Sequence, residues 1–67
     1  MRLVFPSDPD LIERIVTAVR TVVPAAKFDR IEQLNVWPEL SVNFHWRDLD
    51  TVVTVIKRVL SRSEVRA

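Results

Sequence analysis

Leu40-Ser41-Val42-Asn43-Phe44-His45-Trp46-Arg47 is the stretch whose reading decides the fold, because apolar and polar residues alternate in it without a break. A period of two places successive side chains on opposite faces of an extended chain, so this is a half-buried antiparallel strand. Leu40, Val42, Phe44 and Trp46 are assigned to the core face, and Ser41, Asn43, His45 and Arg47 to the outer face.

Immediately upstream, Trp37-Pro38-Glu39 reads as a turn, preceded by a strand at 31–36. Directly paired residues in a hairpin point to the same side. Pairing Val36 with Leu40 and Leu34 with Val42 puts all four on the core face, which requires a loop of odd length. The outer face of the sheet then shows Gln33, Asn35, Ser41, Asn43, His45 and Arg47, with Ile31 and Val4 as its apolar points.

Downstream, Asp48 is placed to cap a second helix, with Asp50 in the first turn near its positive end. At about 100° per residue, Leu49, Val52, Val53, Val55, Ile56, Val59 and Leu60 fall in one arc of roughly 160°, opposite Thr51, Thr54, Lys57, Arg58 and Arg62. This helix is expected to fray near 61–63, leaving 63–67 as a polar tail and 1–62 as one domain.

At the other end, Leu3-Val4-Phe5 is a short apolar run stopped by Pro6, and it reads as a strand at 3–5. Ser7-Asp8-Pro9-Asp10 then supplies a helix start: aspartate suits the N-cap, and proline suits the first helical position while disfavouring helical dihedrals before it. Leu11, Ile12, Ile15, Val16, Ala18, Val19, Val22 and Val23 share one arc, and Pro24 ends this helix near Val22 or Val23. The separation of faces is clean enough to outweigh the β-branched content of the segment.

The resulting order, strand–helix–strand–strand–helix, defines an α+β domain. It resembles a ferredoxin-like fold lacking its last strand. The resemblance lies in topology alone. It implies a three-stranded sheet with the first strand beside the third and both helices packed on one face, and it implies no function, since that arrangement hosts many unrelated ones.

Composition narrows the chemistry. The chain has 67 residues, enough for a single small core, and it has no cysteine. Disulfides, thiolate metal sites and cysteine nucleophiles are therefore excluded. The one histidine, His45, rules out a two-histidine metal site. Glycine is absent, although average usage of ~7% would give about five in a chain this long. Phosphate-cradling and dinucleotide-binding loops need glycine, so no nucleotide cofactor is expected, and turns must be shaped by Pro, Asn and Asp. The net charge of +1 gives no global attraction to nucleic acid or membrane. No apolar run approaches the ~18 residues of a membrane span, and no secretory leader is evident at the N-terminus, so a cytoplasmic location is expected.

Candidate functional residues are few. His45 has the chemistry of a general base, but that role needs a pocket and a positioned carboxylate, and a solvated sheet residue explains it better. Asp8 with Asp10, and Asp48 with Asp50, resemble paired metal-binding acids, yet both pairs stand at helix starts where capping accounts for them. Lys57, Arg58, Arg62 and Arg66 form a basic C-terminal stretch. Without interleaved aromatics it suits helix-end electrostatics better than single-stranded nucleic acid. Trp37, beside Pro38 at a loop tip, is the large apolar residue most exposed by this reading, and tryptophan is enriched in interface hot spots.

A chain of this size buries only ~60% of its unfolded surface and commonly needs an extra stabilising device. With neither disulfide nor metal, self-association or docking on a larger protein is the expected supplement. The sequence therefore points to a small non-enzymatic interaction module, a regulator, adaptor or inhibitor, acting as a homodimer. Its partner-binding residues are assigned as Trp37, Asn43, His45 and Arg47, with no catalytic, cofactor-binding or metal-binding residue. The alternatives are a nucleic-acid-binding regulator using the basic C-terminal helix and, behind it, a small hydrolytic or toxin-like enzyme using His45.

Overall fold

The computed structural model describes residues 1–65, which form three strands and two helices in the order expected: β1 (Arg2–Pro6), α1 (Pro9–Val22), β2 (Lys27–Ile31), β3 (Glu39–Asn43), a single 3-10 turn (Trp46–Asp48) and α2 (Leu49–Val65). The sheet order is β1-β3-β2, with both neighbours antiparallel to the central strand. Both helices pack on one face of it.

α1 begins as its sequence dictates. The Asp8 carboxylate accepts a hydrogen bond from the Asp10 N–H at 2.8 Å, and Pro9 occupies the first turn, where its missing donor is no loss. The helix stops at Val22. Val23 N–H donates to Val19 O, and Pro24 with Ala25 turns the chain into β2.

The core is built from Ile12, Ile15, Val19 and Val23 of the first helical segment, Leu40, Val42 and Phe44 of the third strand and its exit, and Val52 of α2. Leu3, Phe5 and Phe28 close it from the outer strands. In register, Leu3 and Phe28 flank Val42, and Phe5 and Arg30 flank Leu40, which sets these residues on the helix-covered face. The outer face then carries three rows across the sheet: Arg2, Asn43 and Lys27; Val4, Ser41 and Asp29; Pro6, Glu39 and Ile31. Val4 and Ile31 are its exposed apolar points, as expected.

Four expectations are corrected. The second strand is Lys27–Ile31, not 31–36, and Ile31 pairs with Glu39 across a seven-residue loop, 32–38. The loop is odd, but it is longer than Trp37-Pro38-Glu39 and leaves Leu34 and Val36 88% and 60% exposed. Only Phe28 is needed to cover Val42 on this side, and the next core-face position is taken by Arg30, whose Nε lies 2.6 Å from Glu32 Oε1. Asn35 turns the loop with φ 63°, the left-handed conformation asparagine tolerates best where no glycine is present.

β3 also ends earlier than the alternation implies. Phe44 still exchanges backbone bonds with Met1, at 2.8 and 3.0 Å, but β2 pairs no further than Lys27 with Asn43, and the chain leaves the sheet at His45. Trp46, assigned to the core, instead stands 69% exposed on the 3-10 turn. The 3-10 turn that leads into α2 is capped by His45, and Asp48, expected to cap the helix, lies within that turn: His45 Nδ1 accepts from the Arg47 N–H at 3.2 Å, and His45 O accepts from the Asp48 N–H at 2.9 Å. Finally, α2 runs on to Val65, beyond the expected fraying at 61–63. Of the polar tail placed at 63–67, the last two residues, Arg66 among them, lie outside the described residues.

Candidate interaction surfaces

Trp37 projects from the β2–β3 loop with 56% of its surface exposed, beside Leu34 and Val36. Pro38 behind it is buried and accepts a hydrogen bond from Ser7 N–H at 3.1 Å, which ties the base of the loop to the end of β1. Val36, Trp37, Gln33 and Asn35 rim a shallow depression against Pro6 and Glu39. Apolar side chains are thus held out by an anchored loop, where their exposure carries a hydration cost that only a covering surface removes.

The other three residues assigned to partner binding sit at the opposite end of β3. Asn43 is half-buried on the outer face between Arg2 and Lys27, and His45 and Arg47 are exposed around the turn that follows. The His45 and Trp46 rings stack at 5.6 Å between centroids, tilted by 35°. Trp37 and the set of Asn43, His45 and Arg47 therefore form two separate surfaces, one at each end of the central strand.

Between these ends the outer face is more closed than its composition implies. Arg2 Nε donates to Ser41 Oγ at 2.9 Å, and Ser41 is fully buried beneath that side chain. A hydroxyl on the solvent side of a sheet is ordinarily wet; here a guanidinium covers and satisfies it.

A third surface was not read from the sequence in full. α1 and α2 flank an open groove of about 990 Å³, with Ala18 and Val59 in its floor and Arg14, Arg58 and Arg62 along its walls, together with Thr17, Ser61 and Glu13. Arg58 and Arg62 belong to the basic stretch singled out above. Arg14 joins them because the middle of α1 lies beside the last half of α2, a placement that helix periodicity cannot supply without knowing how the helices pair. Lys57 does not line the groove.

Among the described residues, no three of His, Cys, Asp and Glu stand together as a metal site, and no helix is long and apolar enough to cross a membrane. The fold and its surfaces define a small α+β domain with two helices on one face of an antiparallel sheet. No protein-family model, no curated protein and no solved structure matches the chain.

Proposed function

We propose that this chain is a small non-enzymatic interaction module, a regulator, adaptor or inhibitor that works in the cytoplasm by protein–protein contact as a homodimer and docks on a larger protein through the β2–β3 loop. The observation that carries the reading is the exposure of Leu34, Val36 and Trp37 on a loop whose base is hydrogen-bonded to β1. A tethered tryptophan loses little freedom on binding, and its burial in a partner pocket is the usual form of an interface hot spot. His45 supports the same reading: its Nδ1 already accepts from a backbone N–H, so the ring serves as a turn cap.

The test is site-specific photo-crosslinking in the cells the protein comes from, with the reactive group at position 37 and, as control, at position 57. A protein adduct specific to position 37 is expected. Binding of that protein after purification should weaken at least about thirtyfold on Leu34→Ser with Trp37→Ser, the size of a hot-spot loss of ≥2 kcal/mol. Identical adducts at both positions would refute the loop as the docking surface.

The groove between the helices favours one second reading, a nucleic-acid-binding regulator. Arg14, Arg58 and Arg62 converge there from two helices, and guanidinium groups are suited to phosphate. Binding of that kind should lose affinity with salt at a log–log slope of about −0.9 per phosphate contact. A flat salt response, or no binding, leaves the protein-docking reading alone.

A further inference from the structure

The free side of β1 can be read from the parity of its ladder. Met1 exchanges both backbone bonds with Phe44, and Ser7 N–H donates to Pro38 O. Hydrogen-bonded pairs alternate along an antiparallel ladder, so Leu3 and Phe5 turn their N–H and C=O groups toward β3. Those of Arg2 and Val4, with the Pro6 carbonyl, point out of the sheet. Among the described residues no strand lies against that side. Pro6 occupies an outward position, where its missing N–H takes nothing from the ladder.

The helix above this edge is incompletely covered as well. α1 lies over β2, with Arg20 stacked 5.5 Å from the Phe28 ring centre and Glu13 and Val16 beside Arg30. Arg14, Thr17 and Ala18 face α2 from the flank of α1 opposite Val16 and Arg20, so with both helices on one face α2 falls on the β1 side. Its α1-facing flank carries Arg58, Val59 and Arg62. At about 100° per residue, Val53, Ile56 and Leu60 therefore face away from α1, over the β1 edge. Val53 and Ile56 are half-buried and Leu60 is exposed; Leu3 of β1 is half-buried on the same face of the sheet, and Val4 is exposed on the other. Unpaired backbone groups and uncovered apolar side chains share one side of the molecule. The β2 edge lacks this combination, because Lys27, Asp29 and the Arg30–Glu32 pair set charges along it, a device that discourages strand addition.

We infer that a second copy of this chain occupies the β1 edge, with β1 pairing antiparallel to β1 of the partner about a two-fold axis at Leu3. The inference rests on the reading of the chain as a self-associating module and specifies the surface. Arg2 then exchanges both backbone bonds with Val4 of the partner subunit, and Val4 with Arg2 of the partner subunit, so the outward donors and acceptors of both residues are satisfied. On the helix face Leu3 meets its own copy, and Met1 meets Phe5 of the partner subunit. Both prolines fall outside the paired stretch. Arg2 stands opposite valine rather than a second arginine, so no like charges oppose each other. A two-fold interface uses the same patch twice, and the two sheets become one of six strands.

The experiment combines sedimentation equilibrium with amide hydrogen exchange on the full chain and three variants. Val4→Pro removes no bond within the monomer but blocks the approaching strand, and it should remain monomeric where the wild type is dimeric. Val4→Lys, opposite Arg2 of the partner subunit, should weaken the dimer several-fold, whereas Val4→Glu should keep it. A Val4→Pro dimer of wild-type affinity would overturn the β1 interface while leaving self-association standing. A wild type that stays monomeric would overturn both. If Val4→Pro fails to fold by circular dichroism, the wild-type Val4 amide decides: slowing of its exchange with rising protein concentration supports the pairing, and rapid exchange at every concentration refutes it.

Discussion

Replacing Phe44 with alanine and, separately, Trp46 with alanine separates two accounts of how β3 ends. Phe44 is 7% exposed and belongs to the central apolar cluster, so truncation removes a buried ring and leaves a cavity, at a cost of ~3–5 kcal/mol. Trp46 is 69% exposed and rests against His45, so its loss should cost no more than ~0.5 kcal/mol, the range of ordinary surface changes. A core this small supplies about 3–5 kcal/mol in all. The Phe44 variant should therefore be largely unfolded at 25 °C, while the Trp46 variant should melt within a few degrees of the wild type, at ~4–8 °C per kcal/mol for a domain of this size. Urea and thermal melts followed by far-ultraviolet circular dichroism give both values without depending on tryptophan emission. Equal destabilisation, or a greater loss at Trp46, would mean that the strand continues past Asn43 and that Trp46 faces the core.

Other substitutions test individual joints. Asp8→Ala should cost ~1 kcal/mol in a urea melt, because the Asp10 N–H loses its cap. Asn35→Ala should destabilise by ~1 kcal/mol and Asn35→Gly by less, since the left-handed backbone at φ 63° penalises a Cβ without a compensating polar group. Arg14→Gln with Arg58→Gln and Arg62→Gln should leave the melting curve within about 1 kcal/mol of the wild type, and should leave docking on the loop partner unchanged; loss of that docking would move the interface to the helical groove.

What was legible in the sequence follows from how local each signal is. The Asp8-Pro9 start and the helical spacing of Ile12, Ile15 and Val19 are contained in one segment, and α1 forms where they place it. Leu40, Val42 and Phe44 likewise announce a central strand. The length of that strand is not local: it ends where Lys27 of β2 ceases to offer a partner, so the alternation carries on to Trp46 in sequence without a β2 ladder to hold it. β2 is obscured in the sequence for a related reason. It has one core-facing aromatic, Phe28, and Arg30 at the next inward position, whereas Leu34 and Val36 mimic a strand from an exposed loop. Those two residues, expected in the core, are exposed on the same loop as Trp37. The groove needed Arg14 from a different helix, and the free β1 edge needed the pairing parity; neither exists before the chain is folded.

Self-association is the claim on which the stability and the function of so small a domain both depend. Sedimentation equilibrium of the wild-type chain from about 1 to about 100 µM measures it directly. The expected result is a mass approaching twice the 7.8 kDa of the chain as concentration rises. A mass that stays at 7.8 kDa throughout, together with an unfolding free energy above ~6 kcal/mol, would contradict it, because the monomer would then need no second copy.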